Sequence, residues 1–173
     1  MPLLKNRNTI VVVGDDIPLS YDYRRAFKYK EFTFLTAHQA VAYEKALFFM
    51  DFETANQILT ADDPAKVQQL EDHISGVDDL LWYEKAPSII LDILKSKFVQ
   101  NLILAAYLAS TRHAFIGVVD PDTTKGIGYT QEQLKQEPNN IDVLQWKGTN
   151  LYGQSLMETR KLVDKKYSKY EPR

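Results

Sequence analysis

The hydrophobic pattern changes period near residue 36. Before it, Ile10-Val11-Val12-Val13 is a short apolar run closed by Gly14-Asp15-Asp16, which reads as a strand and a turn. Phe27-Lys28-Tyr29-Lys30 and Phe32-Thr33-Phe34 then alternate aromatic and polar positions around Glu31. A period of two buries one face, so this stretch is a half-buried strand or a bent pair of short strands. After it the signals are helical. Thr36 followed by Gln39 has the capping-box pattern, and Ala37 to Met50 is rich in Ala, Leu and Phe. Asp51 can cap a second helix through Leu59. Asp63-Pro64 places a capping acid before a proline at the first helical position, opening a third helix toward His73 that Gly76 breaks.

Asp78 to Lys85 predicts a short helix carrying Trp82. Pro87 predicts the start of a longer one with an apolar stripe at Ile89, Ile90, Ile93, Leu94 and Phe98. Leu102 to Ala109 is apolar nearly all round and is expected to be the central core helix. Ala114 to Val119 has strand composition and stops at Asp120-Pro121, before a glycine loop at Gly126 and Gly128. Thr130 and Gln133 form a second capping box, Pro138-Asn139-Asn140 a turn, and Asn150 to about Tyr167 the closing helix. The expected fold is mainly α with a few short strands (α+β), in a single compact domain over residues 1–173. Its core would span about residues 20–163 and a short basic C-terminal tail would follow. There is no internal repeat.

Composition narrows the function classes. At 173 residues with 45% hydrophobic positions, a domain buries roughly two thirds of its unfolded surface and needs no disulfide or structural metal. The absence of cysteine removes a disulfide scaffold, a thiolate zinc site and a cysteine nucleophile, and fits a reducing compartment. A net charge of -2 gives no overall field for nucleic acid, so a phosphate-bearing partner would need a local site. The run after Lys5 and Arg7 is too short for a signal peptide. Leu102 to Ala109 is well short of the roughly 20 residues of a membrane span. A soluble, cytoplasmic protein is expected. The cations Arg160, Lys161, Lys165, Lys166 and Lys169 read as a solvated helix end, since positive charge favours helix C-termini.

Candidate chemistry is sparse. His38, His73 and His113 lie far apart and make no zincin pair, so no metal site is expected. His38 falls in the first turn after the aromatic strand, and Lys45 at i+7 shares its helix face, so a base and a cation could share one cleft. The alternative is a surface histidine and a solvated lysine. Lys125-Gly126-Ile127-Gly128 could form an anion-binding nest of backbone N–H groups. Gly148 and Gly153 bracket Asn150 at the start of the last helix, where capping alone would explain them. A helix N-terminus is also an anion site, so the two loops could jointly bind a phosphorylated ligand.

In order, these pieces resemble the NADAR (YbiA-like) family. The first-helix string Thr36-Ala37-His38-Gln39 through Tyr43-Glu44-Lys45-Ala46 to Phe49-Met50-Asp51 is similar to that family's first helix. Ile58-Leu59, Asp63-Pro64-Ala65-Lys66, Trp82, Ser96-Lys97-Phe98-Val99-Gln100-Asn101 and Leu108-Ala109-Ser110-Thr111 follow at the family's intervals. So do Asp122, Gly126-Ile127-Gly128, Trp146-Lys147-Gly148-Thr149-Asn150-Leu151-Tyr152-Gly153 and Leu156-Met157-Glu158-Thr159-Arg160.

The resemblance implies an N-glycosidase acting on a ribose–nitrogen bond in an ADP-ribosylated or phosphoribosylated base, with no cofactor. Its partner would be an ADP-ribose-like or phosphoribosyl small molecule, or a modified guanine in nucleic acid. Such a bond breaks through an oxocarbenium-like state, which asks for a carboxylate near the cation and for neutralisation of the departing base. The family's first-helix glutamate falls on His38 and its Gly-Arg on Glu71-Asp72. A strand glutamate falls on Gly117, a loop tryptophan on Lys125, and the upstream Ser-Asn-Phe on Ser20-Tyr21-Asp22. On the enzyme reading His38 and Asp122 are the catalytic candidates, and Lys45, Lys125, Gly126, Gly128 and Asn150 the ligand-binding ones. Glu44 could replace the missing carboxylate only if the helix were rotated, since it lies about 120° away from His38. The competing reading is a catalytically degenerate relative that binds a nucleotide-like ligand or a protein partner, with the basic tail from Lys161 to Arg173 as a contact surface. A nucleic-acid module is the weakest reading, because the aromatics follow core spacing.

Overall fold

The computed structural model describes residues 3–5 and 8–167. In chain order the elements are β1 (Leu3–Lys5), β2 (Thr9–Val12), β3 (Phe27–Tyr29), β4 (Phe32–Phe34), α1 (Ala37–Phe48), α2 (Phe52–Thr60) and α3 (Pro64–Asp72). There follow α4 (Asp79–Gln100), α5 (Leu102–Ser110), β5 (Phe115–Val118), α6 (Gln131–Gln136), 3-10 turns at Pro138–Ile141 and Val143–Gln145, and α7 (Leu151–Tyr167). The fold is mainly helical with a few short strands, as expected. No helix among the described residues is long and apolar enough to cross a membrane. The end of the basic tail, residues 168–173, lies outside the described residues. Two compact units are distinguishable: Tyr21–Gln100, and the remainder on either side of it.

In the Tyr21–Gln100 unit, β3 and β4 form an antiparallel hairpin with Phe27 opposite Phe34. Lys30 turns it with φ 53°. The edge of β3 is closed by Gln100, whose side-chain carbonyl accepts from Lys28 N–H at 2.7 Å while its amide donates to Lys28 O at 2.6 Å. A carboxamide thus does the work of a third strand. α1 is the enclosed helix of this unit, packed by α2, α3 and α4. Ala37, Ala40, Ala42 and Ala46 are each fully buried, and side chains this small let three helices approach. The Thr36 hydroxyl accepts from Gln39 N–H at 3.0 Å, but the return bond of the box is displaced. Gln39 Oε1 accepts from Leu35 N–H instead, and Nε2 donates to the carbonyls of Ile58, Leu59 and Ala61. Gln39 therefore satisfies the last-turn carbonyls of α2 from the first turn of α1.

Two helix expectations need correction. Asp79 to Gln100 is one helix, not two, and Pro87 sits inside it. Its buried positions Trp82, Ala86, Ile89, Ile90, Ile93, Leu94, Lys97 and Phe98 keep helical spacing across the proline. Pro87 itself is exposed, so water can satisfy the carbonyl that loses its N–H partner, and burial of the stripe outweighs the cost. Nor is α5 a central core helix. Leu104, Ala105 and Leu108 are buried, but Leu102 is 64% and Ile103 69% exposed. Apolar composition marks what a helix could bury, whereas position in the fold decides what it does bury.

In the other unit β2 lies between β1, antiparallel, and β5, parallel. α7 packs against β5 and α5. Thr130 and Gln133 make the full reciprocal capping box at α6. The segment from Trp146 to Gly153 is tied to the loop before it: Lys147 and Gly148 N–H both donate to Ile127 O, and Asn150 N–H donates to Gly126 O, each at 3.0 Å. A Cβ on Gly148 would fall on the Gly126 carbonyl oxygen, so glycine here permits two loops to touch backbone to backbone.

Candidate active site

The charged centre of the Tyr21–Gln100 unit forms where the chain enters α1. His38 N–H, one of the orphan donors of the first turn, donates to Tyr21 O at 3.1 Å, which brings Tyr21-Asp22 against the helix start. The Tyr21 ring stacks on the imidazole, with centroids 4.6 Å apart. Asp22 Oδ1 lies 2.8 Å from His38 Nδ1, and Glu71 Oε2, from the last turn of α3, lies 2.8 Å from His38 Nε2. Glu71 Oε1 lies 3.5 Å from Lys45 Nζ. That ammonium sits 5.7 Å from the centroid of Trp82.

With a carboxylate at each nitrogen, both ring nitrogens act as donors, which makes His38 an imidazolium. Burial works to lower its pKa, but hydrogen bonds to Asp22 and Glu71 and their charges outweigh it and raise the value to about 9. The cation stands in the first turn of α1 and the Glu71 anion in the last turn of α3, each at the helix end that disfavours its sign. Their mutual pairing compensates both. His38 and Glu71 side chains are each 3% exposed, while Asp22 is 23% exposed. Asp22 is thus the carboxylate of this group that reaches solvent.

Lys97 extends the centre. Its Nζ donates to Tyr23 O at 2.8 Å and faces the rings of Tyr23 and Phe27. Burial pulls its pKa down to about 8, opposed by the charge of Asp22. Around Asp22 and Glu71 the charges therefore alternate in sign through Lys97, Asp22, His38, Glu71 and Lys45.

His38 and Lys45 share a helix face, as their spacing predicts, and meet through Glu71. Glu44 faces elsewhere: its Oε2 takes Lys30 Nζ at 2.8 Å beside the hairpin turn. Asp72 is exposed and accepts from Gln68 Nε2. Asp22 and Glu71 stand in the sequence only as departures from the pattern the chain resembles, and neither is among the candidate site residues there. A histidine and a glutamate each standing where the family pattern has another residue was the available signal.

The remaining candidates lie in the other unit. Asp122 is exposed, and its Oδ1 accepts from Thr124 N–H at 2.7 Å and Lys125 N–H at 3.0 Å. The N–H groups of Gly126, Ile127 and Gly128 donate to Asp122 O, Val118 O and Asp120 O. Those of Leu151 and Tyr152, in the first turn of α7, donate to Thr124 O and Lys125 O. Asn150 is buried with φ 53°, accepts from Val118 N–H at 3.0 Å and donates to Ile116 O at 2.8 Å, clamping β5. These backbone donors, which the sequence offers to a phosphate, are here engaged by carbonyl and carboxylate oxygens of the fold. At Gly117 the indole of Trp146 occupies the space a side chain would take, with a ring carbon 2.6 Å from the Cβ position.

A mainly helical fold with short strands and a sequestered carboxylate–imidazolium–carboxylate centre is thus defined. The fold matches the NMR structure of the Escherichia coli protein YbiA with a TM-score of 0.71 at 18% identity, covering 100% of this chain and 94% of that one. The NADAR domain model matches residues 14–164, and the chain belongs to the NADAR domain family. It is 27% identical over 158 residues to an N-glycosidase of Acanthamoeba polyphaga mimivirus, covering 90% of this chain and 89% of the relative. It is also 29% identical over 136 residues to the Caenorhabditis elegans protein irg-1, a match covering 77% of this chain but 62% of that protein. Family membership and the mimivirus relative support a glycosidase function at the level of the family.

Proposed function

We propose that this protein is an N-glycosidase that hydrolyses the bond between ribose and a base nitrogen in an ADP-ribosylated or phosphoribosylated base. The observation that carries the reading is the partly exposed Asp22 carboxylate, fixed at 2.8 Å by a buried imidazolium that Glu71 holds from behind. When the C–N bond breaks, its electron pair leaves with the base and C1 becomes cationic. A fixed carboxylate stabilises that charge and directs the water that adds to C1, whose proton passes to the departing base. Asp22 takes this part. His38 positions it rather than meeting water, because both its nitrogens are spent. Asp122, Lys125, Gly126, Gly128 and Asn150 hold their own loop in this assignment.

A second reading has its own support. With His38 enclosed and the glutamate of the family's first helix absent, the centre can bind without turning over. The deciding experiment measures release of ADP-ribose from ADP-ribosylated guanine nucleotides and of ribose 5-phosphate from an aminopyrimidine riboside 5′-phosphate. Turnover reduced by about a hundredfold or more in Asp22→Asn supports the assignment. Loss in Asp122→Asn with activity retained in Asp22→Asn would move the role to Asp122. No turnover of either substrate by the unaltered protein, with ADP-ribose binding seen by calorimetry, would leave a binding protein.

A further inference from the structure

A cleft of about 430 Å³ opens between the α5–β5 connection and α7, with Arg112, Glu158, Arg160, Lys161 and Asp164 among its lining residues. All of these residues belong to the same compact unit. The volume is in the range of small-molecule sites. Its floor is a guanidinium held in place. Arg160 is 9% exposed, and its Nη1 donates to Thr111 Oγ1 at 2.8 Å and to Ala114 O at 2.9 Å. Nη2 and Nε make no bond to a described residue, so the group is fixed at one nitrogen and has donors left for the cleft.

Arg112 supplies a second guanidinium, exposed and without a side-chain partner among the described residues. Its backbone has φ 51°, at the end of α5 where glycine is the relaxed choice. Lys161 is paired with Glu158 at 2.6 Å, and the charge of Asp164 acts on Arg160. Three cations face two carboxylates, which leaves a positive excess centred on Arg112.

We infer that this cleft binds the phosphoryl group of a small phosphorylated molecule, received by the guanidinium groups of Arg160 and Arg112. Two planar donor forks at one cleft suit a tetrahedral oxyanion better than lysine would, and a preordered arginine loses little entropy on binding. No part of this rests on the proposed glycosidase activity.

The test is titration of the full chain with inorganic phosphate and with AMP, followed by amide chemical-shift perturbation and calorimetry. Saturable shifts confined to Thr111–Ala114 and Gln154–Asp164, weakening as salt rises, are expected. Arg112→Gly should weaken phosphate binding about tenfold or more. It should not lower the unfolding midpoint, because glycine relieves the positive φ. Arg160→Lys, which keeps the charge and loses the fork, should weaken binding as well. Binding that survives Arg112→Gly, shifts scattered over the surface, or none up to tens of millimolar phosphate would overturn the assignment. Equal shifts with acetate and phosphate would overturn the phosphoryl preference.

Discussion

Replacing Glu71 by Gln tests the charged centre most directly, because the variant keeps the shape and the acceptor oxygen and removes only the charge. The folded-state pKa of His38, about 9, lies above its ordinary 6.5. Between those values the folded chain holds a proton that the unfolded chain has released. The stabilisation is therefore complete below pH 6.5 and is lost as pH rises through 9. At about 1.4 kcal/mol per pKa unit, it amounts to about 3 kcal/mol. Removing one of two carboxylates should forfeit the larger part, about 2 kcal/mol at pH 6 to 7. The full 3–5 kcal/mol of a broken buried pair is not reached, because His38 can shed its proton. Urea unfolding of both proteins at pH 6 and pH 9.5 should show a gap at the lower pH that narrows at the higher, where only the pairing of Glu71 with Lys45 is still lost in the variant. Imidazole ¹⁵N NMR should show both nitrogens of His38 protonated at pH 7.5 in the unaltered protein, and a lowered pKa in the variant. Titration of His38 near 6.5 in the unaltered protein, or a stability gap that does not change with pH, would refute the account.

Lys97 predicts a dependence of opposite sign. Its pKa is lowered to about 8, so the penalty for burying its charge is present below that value and disappears as pH rises toward 10.5, adding stability. Lys97→Met should abolish this gain, measured as the difference in unfolding free energy between pH 7.5 and 10. Gly148→Ala should cost about 2 kcal/mol or more by forcing apart the contact with Gly126, read as a lowered urea midpoint. An unchanged midpoint would show that the two loops are not in backbone contact.

Much of the local structure was legible. The Thr36, Asp51 and Asp63 caps each accept the backbone bond their residue types suggest, from Gln39, Thr54 and Ala65 respectively. Helix starts are readable because capping is a contact over two or three residues. Pro87 misled because its local cost is real, yet the stripe from Trp82 to Phe98 recovers more by staying one helix. The α5 run misled because its composition says nothing about which face its neighbours cover. In the centre around α1, spacing placed His38 and Lys45 on one face, but their shared partner comes from 26 residues beyond Lys45. No period or motif relates those positions.

By itself, then, the chain's order of residues determined which segments are helical, where those with side-chain caps begin, and that His38 and Lys45 face the same way. Tertiary structure decided what that face means. It set Asp22 and Glu71 on opposite nitrogens of His38, turning a candidate base into a buried cation, and it enclosed alanine-rich α1 while leaving apolar α5 half in water. The physical reason is range: caps and periodicity act within a turn or two of chain, whereas burial and ion pairing depend on which distant segments come to occupy the same few ångströms.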